Sequence, residues 1–552
     1  MILIKASHKI KKSARRDSNP RPRPWQGRAP PTEPLAHMKL LTVYQRVRYN
    51  TMKNKICQQF FWQKLLWGVD MLFNSYIFIF VFLPVILLLW FGCNHLGKYR
   101  MAQAILIAMS LWFYGYGNYW YILLIVASVL LNWMFSRYMD RAPRVLGTVG
   151  VVCNIAILFY FKYCNFFVDN MNHIFHTGLE IQKIVLPLGI SFYTFQQISY
   201  IVDRMKGEAE HYKLMDYTAY VVYFPQLIAG PIVSHDILIP QFMDEKKRKL
   251  NWDNVLKGIR LFTIGLGKKA LLADMIAKVA NAGFGMVEML DMPAAWITIL
   301  AYTFQIYFDF SGYCDMALGI GWMMNIELPQ NFKSPYKSVS ISEFWRRWHI
   351  TLGAFLRKYV YIPLGGNRKG KWKQIRNILV VFLCSGIWHG ANWTFVVWGL
   401  GHGIMNLLER NPLIANRKKG IKWGITFVYV MLMWVLFRSD SLAMAGTFYK
   451  KMFSFQITGS VLQLAGAMGG WQTHILYIIT NHFLGSTAVG LMYLFCMICM
   501  LAFAAWLCTR KDSVSYVTER AATKMEMCVL AFVMAASVLT FSGITVFLYF
   551  NF

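Results

Sequence analysis

Three histidines stand in surroundings that give little reason for one. His389 lies in GIWHGANWT (386–394), between two tryptophans, inside the apolar stretch NILVVFLCSGIWHGANWTFVVWGLGHGIMNLL. His349 ends FWRRWH, and His402 follows 13 residues after His389. Burial drives an imidazole towards its neutral form, because desolvation disfavours the cation. A neutral ring beside a water-accessible passage can take a proton from an alcohol and return it to a leaving group. His389 is therefore a candidate general base, with His349 second and His402 third. The competing reading is a buried histidine hydrogen-bonded to a carbonyl, and the residues alone leave both open. On one continuous helix the spacing from His389 to His402 gives about 220°, nearly opposite faces. The Gly-Ala-Asn after His389 is a candidate helix break. No HExxH and no paired CxxC accompanies these rings, so no metal is expected.

Carboxylates and cations surround them. QIYFDFSGYCDMALGIG (305–321) sets Asp309 and Asp315 among aromatics and glycines. A carboxylate at membrane depth is costly and faces a cavity or a partner. A polar chamber wall and a helix-packing hydrogen bond both remain open readings. ISEFWRRWHITLGAFLRKYVYIPLGGNRKGKWKQIR (341–376) follows, with nine Lys/Arg and no Asp/Glu from 346 onwards. Its charge places it at the cytoplasmic face. Its interleaved Trp, Tyr and Phe suggest an interfacial or re-entrant segment. Such a surface attracts an anionic donor, such as coenzyme A or an acidic carrier protein. Contact with lipid headgroups explains the charge equally well. PLGGNRKG and GLGKKA (265–270) both lack the phosphate-loop pattern.

The elements that must position these groups are membrane helices. The chain of 552 residues is 57% hydrophobic and only 15% charged, against about a quarter charged in soluble domains. Apolar blocks long enough to cross a bilayer recur at 76–93, 119–135, 145–161, 424–437 and 489–508. Some 10–14 hydrophobic segments are expected in all (roughly, from block lengths), the shorter ones re-entrant. The net charge of +31 includes 15 Lys/Arg against three Asp/Glu in residues 1–70. The remaining basic excess fits positive-inside topology, with 137–144 and 244–254 cytoplasmic and 176–183 outside. No folded basic module for nucleic acid is present. Residues 13–34 are Pro/Arg-rich and form no packed element. The ten cysteines, including the pair Cys496 and Cys499, read as small buried side chains. Residues 454–475 read as a Gly-rich loop or peripheral segment. No internal repeat of the transporter kind is visible.

Several long, ordered stretches resemble one family. They are LPLGISFYTFQQISYIVD (186–203), YFPQLIAGPIV (223–233), GLGKKALLAD (265–274), FDFSGYCDMALGIG (308–321), LPQNFKSPYKSVSISEFWRRWHITLGAFLRKYVYIPLGGNRKG (328–370) and SGIWHGANWTFVVWGLGHG (385–403). With WVLFRSD (434–440) and the closing FLYFNF, they are similar to the membrane-bound O-acyltransferases. The nearest branch is the bacterial one of alginate O-acetylation and teichoic acid D-alanylation. The likeness covers Met71 to the C-terminus and departs at Cys314, where serine is common. It implies an all-α polytopic protein, a ring of transmembrane helices with re-entrant segments around a central channel. It divides the chain into a basic disordered extension at 1–70, either over-translated upstream of Met71 or a real cytoplasmic basic tail, and an acyltransferase domain at 71–552.

The resemblance also implies roles. The family's buried histidine falls on His389 and its second polar position on His349. Arg346, Arg347, Arg357 and Lys358 would steer donor phosphates. Asp309, Asp315, Trp388 and Asn392 would line the channel. The implied donor is a cytoplasmic thioester, acetyl-CoA or an acyl carrier protein, with no tightly bound cofactor. The implied acceptor is a hydroxyl on an exported polysaccharide, reached with an extracytoplasmic hydrolase-like partner, at the bacterial plasma membrane. The 482 residues from Met71 resemble the alginate type more than the shorter D-alanyl type. D-alanyl transfer to teichoic acid is the rival within the class, and a proton-coupled transporter using His389 and Asp309 is the rival outside it.

Overall fold

The computed structural model of the protein describes residues 71–182, 184–470, 473–543 and 547–548. The extension expected at 1–70 lies outside the described residues, as does most of the closing FLYFNF. Among the described residues, regular structure is helical, with one isolated antiparallel bridge between Phe332 and Trp348 and no strand.

Each of the five long apolar blocks becomes a helix long and apolar enough to cross a bilayer. These are Phe78–His95, Trp120–Arg141, Pro143–Phe175, Lys419–Arg438 and Ala488–Cys508. They carry exposed Leu88, Leu123, Val152, Ile155 and Phe495, the outer surface that hydrocarbon rather than water would cover. Cys499 is exposed on that surface rather than buried. Other elements are shorter or more polar. Ile190–Met205, Trp252–Gly267 and Trp393–Leu408 have 16 residues each, about 24 Å. Polar side chains tie Ile190–Met205 to two of the long spans. Asn132 donates to Gln197 at 3.0 Å and Asn154 donates to Asn132 at 2.6 Å.

Met292–Met323 forms a central helix of 32 residues, about 48 Å long and buried along almost its whole length. It packs against Trp252–Gly267 at glycine contacts. A Cβ on Gly265 would lie 2.6 Å from the Gly312 carbonyl oxygen, so only small residues allow this approach of two backbones.

Three antiparallel helices then fix the sidedness. Lys371–His389 rises, Trp393–Leu408 returns and Lys419–Arg438 rises again. Lys371, Lys373 and Arg376 lie at one end, together with Arg410, Arg417, Lys418 and Lys422. Positive-inside bias makes that end cytoplasmic. The opposite end is the turn 390–392, joined to residues 439–440 by Asn392 Nδ2 donating to the Asp440 carbonyl at 2.8 Å.

The segment 454–475, expected as a loop or peripheral segment, contains the short helix Ser460–Gly466. Asp291 explains why. Its carboxylate caps the central helix through Ala294 N–H at 3.1 Å and accepts Thr458, Gly459 and Ser460 N–H at 2.8, 3.0 and 3.3 Å. Burial alone would raise this carboxyl group, but those donors hold it down at about 2. Replacing Asp291 by Ala should cost about 1–3 kcal/mol, a lost cap plus stranded donors, read as a lower unfolding midpoint in detergent. Because the folded group is depressed below its ordinary 3.8, its contribution is complete above that pH and disappears as pH falls through about 2. The margin of the wild type over Asp291→Asn should follow that course. An equal margin at pH 7 and pH 2 would exclude it.

Candidate active site

The helix Lys371–His389 stops at His389 for local reasons. Gly390 is extended (φ −168°, ψ 154°), and a Cβ there would lie 2.1 Å from the Phe395 ring. Asn392 then caps the return helix, its Oδ1 accepting Thr394 N–H at 3.0 Å. The predicted break at Gly-Ala-Asn is thus a tight helix hairpin. A helix end leaves its last carbonyls without intrahelical donors. Here they are met from the span Pro143–Phe175. Tyr163 Oη donates to the Ile387 carbonyl at 2.8 Å, and Lys162 Nζ donates to those of Trp388 and His389 at 2.5 and 3.2 Å. Lys162 and Tyr163 lie in a π-helical turn, Phe159–Tyr163, which re-aims side chains relative to a regular helix. A cation at a helix C-terminus is also favoured by the helix dipole.

The His389 ring lies in an aromatic layer. Ring centroids of Trp388, Trp398 and Phe437 are 4.9, 5.1 and 5.2 Å away. The hairpin also brings His402 back to this layer, 4.9 Å from Trp398, although a continuous helix would have turned it away. There Trp345 Nε1 donates to His402 Nδ1 at 3.3 Å, which makes His402 a packing partner of the layer.

His349 reaches the same layer from a different element. It precedes the helix Ile350–Leu356 in a left-handed conformation (φ 47°, ψ 52°), uncommon for a residue with a side chain. Asn331 holds it there. Its carbonyl oxygen accepts Ile350 N–H at 3.1 Å, and its Oδ1 accepts from Thr351 N–H at 3.1 Å and Thr351 Oγ1 at 2.8 Å. The same Oδ1 lies 3.3 Å from His349 Nδ1. Since Thr351 N–H requires an acceptor, the neutral His349 ring carries its hydrogen on Nδ1, which leaves Nε2 as the basic nitrogen. Trp388 lies between the two histidines, 5.8 Å from His349 and 4.9 Å from His389.

Two cavities end on opposite sides of this layer. The cytoplasmic one, about 420 Å³, is lined by His349, Arg346, Arg357, Trp345, Phe382 and Ser385. Ser385 lies one helical turn before His389. Arg346 and Arg357 therefore gather at His349. Arg347 and Lys358 do not line this cavity. Arg347 pairs with Glu343 at 2.8 Å and donates to the Lys333 carbonyl at 3.2 Å. Lys358 donates to Asp203 at 2.9 Å, on the carboxylate oxygen that also accepts Tyr359 Oη at 2.8 Å and faces His235 Nε2 at 3.1 Å. Burial opposes the Lys358 cation, but Asp203 holds it above its ordinary range.

The outward cavity, about 520 Å³, has charged and amide walls. Asp309, Lys269, Asn392, Phe437, Arg438 and Asp440 line it. Asp309 is both chamber wall and packing group, for it accepts Lys269 Nζ at 2.6 Å and Leu548 N–H at 2.9 Å. Asp315 instead accepts Lys268 Nζ at 2.7 Å and lines neither cavity. Trp388 is likewise a ring of the dividing layer rather than a cavity wall. The two cavities share no lining residue, and His389 is only 2% exposed. The expected channel is thus two vestibules, divided by the Trp388, His389, Trp398 and Phe437 side chains.

Sequence comparison agrees with this geometry. Residues 106–445 match the profile of the membrane-bound O-acyltransferase family. A peptidoglycan O-acetyltransferase of Helicobacter pylori is 42% identical over 412 residues, 68% of this chain and 78% of that protein. A probable alginate O-acetylase of Pseudomonas aeruginosa is 41% identical, over 70% of this chain and 75% of its own. The teichoic acid D-alanyltransferase of Bacillus subtilis is 26% identical, over 64% of this chain and 90% of its own. A helical membrane body with two vestibules ending at the layer that holds His349 and His389, and a family profile spanning more than half of the sequence, lead to one conclusion: the chain belongs to the membrane-bound O-acyltransferase family and is an O-acyltransferase.

Proposed function

We propose that the protein transfers an acetyl group from a cytoplasmic thioester, acetyl-CoA, for O-acetylation of an exported cell-surface polysaccharide at the bacterial plasma membrane. One observation carries this reading: two vestibules of different chemistry end on opposite sides of the layer that holds His349 and His389. A phosphorylated thioester donor cannot cross about 30 Å of hydrocarbon, and wall polysaccharide lies outside. Bringing both to one buried layer removes the need for either to cross. Relatives named for O-acetylation at 41–42% identity, against 26% for D-alanyl transfer, favour acetyl as the group moved.

Arg346 and Arg357 draw the donor phosphates to the cytoplasmic mouth, and His349 receives the thioester end of the donor. His389 acts as general base. The acceptor hydroxyl gives its proton to the His389 imidazole as its oxygen bonds to the thioester carbonyl carbon. The C–S bond then breaks, and the proton passes to the departing thiolate. Trp388 or Phe437 must move aside for the reactants to meet, since the resting layer encloses the ring. An extracytoplasmic partner presents the sugar hydroxyl to the outward vestibule. The reaction needs no resident cofactor.

In a deletion strain, the wild-type gene should restore surface acetyl esters. His389→Ala should lower them by about a hundredfold or more, and His349→Ala by roughly tenfold to a hundredfold, at normal membrane levels. Full ester levels with His389→Ala would remove the mechanism, and loss of D-alanine in place of acetate would reassign the acyl group. With purified protein, Arg346→Ala and Arg357→Ala should raise KM for acetyl-CoA with little change in kcat, and added salt should weaken the difference. A fall in kcat at unchanged KM would instead place these arginines in the chemical step.

A further inference from the structure

A third cavity lies away from both vestibules and shares no lining residue with either. It encloses about 910 Å³ between Trp252–Gly267 with its following turn, Ser486–Cys508 and Lys524–Leu539. Its walls are apolar along most of their length, formed by Ile264, Leu271, Phe503, Leu507, Leu530 and Val533. Neighbouring Phe532, Val529 and Trp506 are exposed on the outer surface, so the crevice borders the hydrocarbon.

Its mouth is basic. Lys337, Arg510, Lys511 and Arg520 line it, with Asp512 as the lone carboxylate among them. Lys511 is paired with Glu519 at 2.5 Å. Asp512 is occupied as the cap of Ser513–Glu519 and as acceptor for Gln330 Nε2 at 2.6 Å. Lys337, Arg510 and Arg520 have no carboxylate within ion-pair distance among the described residues. Arg510 and Arg520 lie over the rings of Trp506 and Tyr516, at 4.3 and 5.2 Å, and aromatics of this kind mark a membrane interface. Burial lowers the Lys337 pKa, and the cations of Arg347 and Arg510 lower it further against a partial offset from Asp512, so like charges crowd this corner. Ser334 Oγ donates to the Arg510 carbonyl at 3.2 Å, which ties the mouth to the segment leading into Ile341–Arg347 at the cytoplasmic face.

We propose that this crevice is a binding site for an anionic phospholipid of the inner leaflet, with its phosphate at Lys337, Arg510 and Arg520 and an acyl chain along Leu271, Leu530 and Val533. Three cations without an ion-pair partner among the described residues call for an anion, and the apolar walls open towards the bilayer call for a chain attached to it. Basic pockets between helices on the cytoplasmic side recognise lipid headgroups in this way. A volume of 910 Å³ also falls within the usual range for ligand sites, about 300–1,000 Å³.

The test is native mass spectrometry of the purified full chain with phosphatidylglycerol and phosphatidylcholine of matched acyl chains. Phosphatidylglycerol should be retained preferentially. The triple variant Lys337→Gln, Arg510→Gln, Arg520→Gln should lose that retention on the order of a hundredfold, with its elution and unfolding midpoint unchanged. Leu530→Trp, which fills the crevice and keeps the charges, should also displace the lipid. Equal retention of both lipids, or unchanged retention in either variant, would overturn the site. Displacement of phosphatidylglycerol by coenzyme A would overturn it too, by assigning the cations to the soluble donor.

Discussion

Everything in the histidine layer depends on ending a helix among apolar side chains. Hydrocarbon offers no donors for the free carbonyls of a helix end, and each unsatisfied group there costs several kcal/mol. Here the donors are Tyr163 and Lys162, supplied by a neighbouring span to the carbonyls of Ile387, Trp388 and His389. Because these caps hold the backbone of His389 itself, the position of the imidazole is coupled to the Phe159–Tyr163 turn. The hairpin that follows then sets Asn392 against the outward cavity and folds Trp398 and His402 back onto the layer. Without a satisfied helix end there would be no compact turn and no place where two vestibules could end back to back.

The same device recurs. Two further π-helical turns, Lys268–Ala273 and Arg357–Tyr361, also present lysines to partners on other elements. Lys268 and Lys269 take Asp315 and Asp309 of the central helix, and Lys358 takes Asp203. A π turn shifts the register of the residues after it, so consecutive side chains can address partners that a regular helix would leave on one face. Burying such pairs is costly in itself, and breaking one by removing a single partner is worse, about 3–5 kcal/mol, because a buried charge is stranded. The pairs therefore act as pins. Lys269 and Asp309 fix one wall of the outward vestibule, while Lys358 and Asp203 hold the segment after His349 beside the cytoplasmic one.

Much of this was legible in the sequence, and what was not has a common cause. The five long spans could be read because hydropathy is a local property of a window. The break after His389 could be read because Gly-Ala-Asn is a local signal. His389 stood out as a polar group in apolar surroundings and His349 as a ring at the edge of a basic aromatic run, and the resemblance singled both out again. Pairing was not legible. Arg347 and Lys358 carry the same charge in the same basic run as Arg346 and Arg357, yet Glu343 and Asp203 draw the first two away from the cavity. Asp203 is more than 150 residues from Lys358 in sequence, and no periodicity reports such a contact. GLGKKA failed as a phosphate loop, and its two lysines instead serve the central helix. Lys162, in FYFKYC, was not singled out in the sequence, although a lysine in an apolar span is itself a sign of a buried partner.

A divided passage suits the chemistry better than an open one. A continuous water-filled path between the compartments would leak protons and would let water compete with the acceptor for the thioester. Aromatic rings can close such a path and still yield, since Trp388 and Phe437 move as units about few torsions and leave no unsatisfied backbone when displaced. His389 at 2% exposure is then a resting state. In the proposed mechanism the gate and the base belong to one layer, so the event that opens a route to the imidazole would also bring donor and acceptor together. On that proposal, water exclusion and reactant encounter would be controlled by the same few side chains, held at the helix end that Lys162 and Tyr163 cap.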